Sequence, residues 1–115
     1  SYERLERALA QVTKNDVYVA TVEGSVTICD VIGRMKVSRH KSGRVLVAPF
    51  MMVAGDHANH DMAGEKDSFA AALREAGYEP VCLLKGIGEY EPVRECYFRH
   101  LRHCPCGCAI ICRRL

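Results

Sequence analysis

Long apolar runs and a strong net charge are the features that this sequence lacks. No apolar run approaches the roughly 18 residues that a membrane-spanning helix needs, so we expect no membrane partner. The formal net charge is only +2 and the basic residues are scattered, which argues against a nucleic-acid partner. No charged segment followed by an apolar one marks a leader, so the cytoplasm is the expected location.

The 115 residues leave room for one domain, and a hydrophobic content of 49% is enough for a modest core. The sequence is, however, rich in cysteine, with seven residues. Cys29, Cys82 and Cys96 lie in apolar contexts that predict reduced, buried thiols. The segment Cys104-Pro105-Cys106-Gly107-Cys108 separates its thiols by single residues, whereas structural zinc sites favour two. We therefore expect residues 104–115 to form a disordered tail rather than a metal site.

Helical and strand patterns alternate along the chain. Apolar residues at helical spacing predict helices at residues 2–12, after a cap at Ser25 or Thr27, at 68–76 and from Glu91 onward. Continuous apolar or β-branched runs predict strands at residues 17–22, 45–54 and 81–84. The alternation predicts an α/β fold, in which a parallel sheet carries flanking helices in a flavodoxin-like or Rossmann-like layering.

The predicted strand at residues 45–54 runs directly into a dense group of polar side chains. Asp56, His57, His60 and Asp61 follow Gly55 within six residues. In open α/β folds, ligands bind in the crevice beyond the carboxyl ends of the strands. The sequence therefore predicts the chemistry of this protein at this junction.

Three segments resemble the anaerobic sirohydrochlorin cobaltochelatases, which are class II tetrapyrrole chelatases. They are the run from Pro49 to Gly64 with its Gly-Asp-His-Ala and Asp-Met-Ala sequences, Thr21-Val22-Glu23-Gly24, and Lys85-Gly86-Ile87-Gly88-Glu89-Tyr90. The resemblance extends from about Tyr2 to His103. It implies a metal chelatase, a lyase that inserts Co²⁺ into sirohydrochlorin in anaerobic cobalamin (vitamin B12) biosynthesis. Cobalt would then be the substrate metal, a sirohydrochlorin-type tetrapyrrole the partner, and no cofactor would be tightly bound.

By this resemblance, Glu23 and His57 are the metal ligands and the catalytic residues. They lie 34 positions apart, the length of one βαβ unit, so neighbouring strands would bring them together. Carboxylate and imidazole suit a first-row divalent ion, and the residues alone leave Ni²⁺ and Fe²⁺ open beside Co²⁺. Asp56 or Asp61 is expected to hold the second ring nitrogen of His57 and so to fix its tautomer.

Other polar residues near the junction have alternative interpretations. His60 is either a further ligand or, as we favour, a residue that hydrogen-bonds the loop. Gly86 and Gly88 are expected to let backbone N–H groups approach a carboxylated ligand. Glu89 is expected to be solvated or to cap the following turn.

The resembled family places a strand ending in a Gly-His-Gly-Thr-like motif before the first helix. We therefore expect residues 1–103 to be a partial C-terminal chelatase domain that lacks its first strand. Two alternatives remain open for its function. One is a non-catalytic metal-binding or tetrapyrrole-binding module, and the other is a half-domain that is active only as a homodimer.

Overall fold

The computed structural model describes residues 2–38 and 42–103 as helices around a small parallel sheet. In chain order the elements are α1 (Tyr2–Val12), α2 (Ile28–Val37), β1 (Arg44–Val47), a π-helical turn (Ala58–Met62), α3 (Phe69–Glu75), β2 (Glu79–Cys82), a 3-10 turn (Ile87–Glu89) and α4 (Glu91–Arg102). The predicted α/β fold with a parallel sheet and flanking helices is confirmed. The predicted tail at residues 104–115 lies outside the described residues.

The sheet of the described residues has two strands, β1 and β2, which pair in parallel with Leu46 opposite Val81. β1 is shorter than the predicted strand at residues 45–54, because the chain leaves the ladder before Pro49, which has no N–H to donate. β2 begins two residues earlier than predicted. The sheet therefore ends close to the polar junction that follows β1.

Residues 17–22 do not form the strand that their β-branched composition predicts. The N–H of Val19 donates instead to Oε2 of Glu6 at 2.8 Å, and the N–H of Thr21 donates to the carbonyl of Val26 at 2.8 Å. A strand needs a neighbouring backbone to take these hydrogen bonds. In the described part of the chain, a helix carboxylate and a local turn take them, so the strand prediction was wrong.

The core lies on one face of the sheet, beneath α2 and α3. It consists of five buried side chains, namely Ile32, Val47, Ala58, Met62 and Leu73. Alternate residues of a strand point to opposite faces, so Val47 points into this core while its neighbour Leu46 points away. Side chains of α2, α3 and the turn after β1 therefore cover this face of the sheet.

The opposite face of the sheet is apolar and exposed. Leu46 is 66% exposed, and Val81, its partner across the ladder, is 40% exposed. Leu83 continues the alternation beyond β2, where its N–H donates to the carbonyl of Val47, and it is also exposed. We call Leu46, Val81 and Leu83 the open sheet face. Its side chains are the kind that proteins ordinarily cover with another apolar surface.

The beginning of α2 confirms the prediction of a cap at this helix and selects Thr27 over Ser25. The N–H of Asp30 donates to the Thr27 hydroxyl at 3.4 Å, and the N–H of Thr27 donates to the Asp30 carboxylate at 2.8 Å. This reciprocal arrangement is a capping box. The Thr27 hydroxyl and N–H both donate to Asp30 and lower the pKa of its carboxyl group.

An ion pair ties α1 to α2. Arg34 donates to both carboxylate oxygens of Glu6, and its guanidinium also lies 5.0 Å from the centre of the Tyr18 ring. The hydrogen bonds from Arg34, with a contribution from the Val19 N–H, lower the pKa of Glu6 below its ordinary value of 4.5. Glu6 therefore joins α1, α2 and the segment at residues 17–22.

We expect this contact to make the fold sensitive to acid. A carboxyl group whose pKa is lowered by folding stabilises the folded state fully above its unfolded pKa, and this contribution disappears as the pH falls through the folded pKa. Glu6→Gln should lower the melting temperature slightly at pH 7 and flatten its decline below about pH 4.5. Thermal melts of both proteins at several pH values measure this. Equal slopes in acid would show that Glu6 does not contribute.

Candidate metal centre

The loop after β1 is held in place by the turn after β2. The N–H of Ile87 donates to the carbonyl of Met51 at 2.8 Å, and that of Gly88 donates to the carbonyl of Met52 at 3.1 Å. A Cβ atom at Gly86 would lie 2.5 Å from the Met52 carbonyl oxygen, so only glycine fits at this backbone contact. The strand-end loop is thus positioned by backbone contacts from the second strand.

These contacts correct the interpretation of the glycine pair as a ligand cradle. The N–H groups of Ile87 and Gly88 are occupied by loop carbonyls, and the N–H of Gly86 donates to Oε1 of Glu89 at 2.9 Å. Glu89 therefore caps this turn, as one of its two sequence interpretations expects. The glycines serve close packing between the two loops, because the N–H groups that would meet a ligand already have partners.

The loop after β1 enters the π-helical turn directly after His57. Ala58 and Met62 are buried in the core, whereas Asn59 and His60 are exposed. π-Helical turns are rare and are found frequently at functional sites. The buried side chains of Ala58 and Met62 hold the turn against the core, and Asn59 and His60 remain exposed to solvent.

His57 and Asp61 form the central contact of this turn. Nδ1 of His57 lies 3.2 Å from Oδ2 of Asp61, and the two side chains are 91% and 34% exposed. When Nδ1–H donates to the carboxylate, Nε2 carries the lone pair, which is the form that binds a metal ion or accepts a proton. Of the two predicted partners for His57, the structure therefore selects Asp61 and not Asp56.

His60 turns back onto its own loop. Its Nδ1–H donates to the backbone carbonyl of Asp56 at 2.9 Å. This is the loop contact that the sequence interpretation favours for His60. Among the histidines that the structure describes, His57 is therefore the one whose ring is paired with a carboxylate.

Glu23 lies at the tip of a turn that precedes α2. Thr21 closes this turn on the carbonyl of Val26, to which its N–H donates at 2.8 Å and its hydroxyl at 3.0 Å. The Glu23 side chain is exposed and makes no hydrogen bond or ion pair with any residue in 2–38 or 42–103. Glu23 and His57 are thus two separate exposed donors on loops.

Within those same residues, no group of three or more histidine, cysteine, aspartate or glutamate side chains could hold a metal ion. The described structure thus presents individual donors rather than an assembled metal cage.

The sequence analysis missed one pair of donor side chains. Cys96, expected to be a buried thiol, is exposed on α4, with its Sγ 3.7 Å from Nδ1 of His100. Cys29, also expected to be buried, is exposed as well. The four-residue spacing between Cys96 and His100 on a predicted helix is the signal that could have revealed the pair.

Comparison with known proteins decides the family of this chain. Residues 1–105 match the family model described as "Cobalt chelatase (CbiK)". The chain belongs to the CbiK cobalt chelatase family. The predicted resemblance to the cobaltochelatases is thereby confirmed.

Two curated relatives of this chain are named as sirohydrochlorin cobaltochelatases. Sirohydrochlorin cobaltochelatase CbiKC of Nitratidesulfovibrio vulgaris is 30% identical over 102 residues, which cover 88% of this chain and 35% of the relative. Sirohydrochlorin cobaltochelatase of Salmonella typhimurium is 40% identical over 58 residues, which cover 50% of this chain and 22% of the relative. The matched regions thus span about a third or less of the length of these relatives.

None of the described helices of this chain is both long enough and apolar enough to cross a membrane. The longest of these helices, α4, has 12 residues and carries several charged side chains.

Proposed function

We propose that this chain is part of a sirohydrochlorin cobaltochelatase that inserts Co²⁺ into a sirohydrochlorin-type tetrapyrrole in anaerobic cobalamin biosynthesis. The family match over residues 1–105 and the names of two relatives support this function. The structural observation that carries it is the His57–Asp61 pair at 3.2 Å, on the loop that follows β1. We further propose that the protein acts in the cytoplasm, with cobalt as substrate and no tightly bound cofactor.

Metal insertion exchanges one Co²⁺ ion for two protons on pyrrole nitrogens, so the protein must release the metal and accept protons. In our proposal, Nε2 of His57 first binds Co²⁺ and then takes up one proton after the metal leaves. The negative charge of Asp61 stabilises the imidazolium that forms. One histidine paired with a carboxylate therefore serves both parts of the exchange.

Glu23 is proposed as the second metal donor and the acceptor of the second proton. Its carboxylate has no hydrogen-bond or ion-pair partner among residues 2–38 and 42–103, so no internal contact must be broken before it binds a metal. Its negative charge also offsets the positive charge of the bound ion. A carboxylate and an imidazole together favour a first-row divalent ion such as Co²⁺ without excluding Ni²⁺ or Fe²⁺.

The open sheet face supports a second candidate, a half-domain that functions as a homodimer. Leu46 and Val81 expose apolar side chains next to each other across the ladder. A second apolar surface would remove them from water at a gain of about 25 cal/mol per Å². Metal insertion measured at several chain concentrations separates the candidates, because the specific activity of a homodimer rises with concentration.

We expect Glu23→Gln to slow Co²⁺ insertion by about tenfold or more while leaving the melting temperature nearly unchanged. The substitution removes a charge from an exposed loop side chain without internal partners, and surface changes of this kind usually alter stability by less than about 0.5 kcal/mol. Insertion is followed by the absorbance change of the tetrapyrrole, and stability by thermal melting. Glu65→Gln, at another exposed loop carboxylate, is the matched control.

Two results would contradict this role for Glu23. A large fall in melting temperature with an unchanged insertion rate would make Glu23 a structural residue of its turn. Binding of Co²⁺ and tetrapyrrole without turnover in the unsubstituted chain would instead support the non-catalytic binding module.

A further inference from the structure

Arg94, in the first turn of α4, is hydrogen-bonded to the 3-10 turn that precedes this helix. Nη1 of Arg94 donates to the backbone carbonyl of Gly88 at 3.2 Å and to that of Glu89 at 2.8 Å. Hydrogen bonds from a charged donor are stronger than those between neutral groups. A single cationic nitrogen therefore ties α4 to two successive carbonyls of the turn.

The same turn is bonded to the loop that carries His57. The N–H of Gly88 donates to the carbonyl of Met52 at 3.1 Å, while the carbonyl of Gly88 accepts from Arg94. His57 follows Met52 by five residues. One residue, Gly88, thus lies between Arg94 and the loop of His57.

The backbones of the turn and the loop are in close contact. A Cβ atom at Gly86 would lie 2.5 Å from the carbonyl oxygen of Met52 and 2.8 Å from the Cα atom of Val53. A Cβ atom at Gly88 would lie 2.9 Å from the same carbonyl oxygen. Groups packed this closely transmit displacements to one another. A shift of the turn therefore moves the loop as well.

We propose that Arg94 is a positioning residue, which holds the loop that carries His57 through the turn at Ile87–Glu89. The inference rests on the proposed function, because that function assigns His57 to the metal. A ligand that is already held in position loses less freedom when the metal binds. The Arg94 side chain is exposed, so its removal should loosen the loop without disturbing the core.

The test compares Arg94→Met with Arg94→Lys. Methionine keeps an unbranched apolar stem and removes both hydrogen bonds. Lysine should retain them, because one nitrogen of Arg94 makes both bonds and an ammonium group carries three donors. Loss of a residue that orients a metal ligand directly typically costs about 10–100-fold in affinity. Since Arg94 lies further from the metal, we expect Arg94→Met to lower Co²⁺ affinity about fivefold and Arg94→Lys to keep most of it.

Isothermal titration calorimetry with Co²⁺ measures these affinities. The matched control is Arg99→Met, which removes another exposed arginine from α4 and should leave the affinity unchanged. Far-UV circular dichroism verifies that each variant keeps its helices. Unchanged affinity in Arg94→Met, or an equal loss in Arg99→Met, would overturn the proposal.

Amide hydrogen exchange measures the loop contact without any metal. The N–H groups of Ile87 and Gly88 should exchange faster in Arg94→Met than in the unsubstituted chain, because they donate to the loop carbonyls. The amides of α3 should keep their protection. Unchanged exchange at Ile87 and Gly88 would show that Arg94 does not hold this loop, whatever the metal affinities are.

A double substitution determines whether the effect on the metal passes through His57. In the His57→Ala background, Arg94→Met should cause no further loss of Co²⁺ affinity, because the ligand that it positions is absent. An equal loss in both backgrounds would overturn the positioning role. Unchanged affinity in His57→Ala alone would instead contradict the proposed metal site, and the exchange rates would then decide whether Arg94 holds the loop.

Discussion

Replacement of His57 by alanine is expected to lower the affinity of the chain for Co²⁺ at the strand-end loop by about 100-fold or more. Loss of a residue that merely orients a metal ligand typically costs 10–100-fold, so loss of the ligand itself should cost at least as much. Asp61→Asn tests the orienting contact and should cost about tenfold, because its amide accepts a weaker hydrogen bond from Nδ1–H than a carboxylate does. Isothermal titration calorimetry with Co²⁺ measures both affinities.

The matched control is His60→Ala, at the position between Asn59 and Asp61 in the same turn. His60 hydrogen-bonds the Asp56 carbonyl, so its loss should have little effect on Co²⁺ affinity. Equal Co²⁺ affinity in His57→Ala and in the unsubstituted chain would remove His57 from the site.

Leu73→Ala is expected to unfold a large fraction of the molecules at room temperature or to lower the urea midpoint sharply. Leu73 is 1% exposed and is the large side chain most completely enclosed in the described core. Truncation of a buried leucine costs about 2–5 kcal/mol, through lost burial and the cavity that remains. Domains are stabilised by only about 5–15 kcal/mol in total, and a core on one face of a two-stranded sheet is small.

Leu46→Ala provides the matched control for Leu73→Ala, since it makes the same chemical change on the open sheet face. With 66% of Leu46 exposed, the substitution should change the free energy of unfolding by less than about 1 kcal/mol. Urea denaturation followed by circular dichroism compares the two variants. Similar losses in both would show that the open sheet face is covered in solution.

Local signals in the sequence account for most of what was predicted correctly. The spacing of apolar residues predicts α1, the Thr27 cap lies at one of the two expected positions, and Glu91-Pro92 begins α4. Each of these features depends on neighbours within one or two helical turns. The parallel pairing of β1 and β2 follows from the alternation of helices and strands.

Most of the incorrect predictions depend on distant partners. Residues 17–22 have the composition of a strand, but the Glu6 carboxylate from α1 takes one of their hydrogen bonds. The sequence around Gly86 and Gly88 predicts N–H groups that are free to approach a ligand. In the structure, the N–H groups of Ile87 and Gly88 donate to the loop carbonyls of Met51 and Met52. Cys96 reads as buried because nothing in the local pattern reveals that α4 has an exposed face. At the candidate site, the roles of Glu23 and His57 were predicted from a family resemblance, and their shared binding of a metal stays a proposal.

The π-helical turn at Ala58–Met62 sets which kinds of mutation this site can accumulate during evolution. Its buried residues, Ala58 and Met62, anchor one side, and His57 and Asp61 meet across one turn. Removing a single residue would rotate everything that follows by roughly a quarter of a helical turn relative to what precedes it. Such a change would move Met62 out of the core and Asp61 away from His57 together. Substitution at an exposed position such as Asn59 keeps Met62 in the core and Asp61 next to His57. We therefore expect this turn to tolerate substitutions at exposed positions but not insertions or deletions.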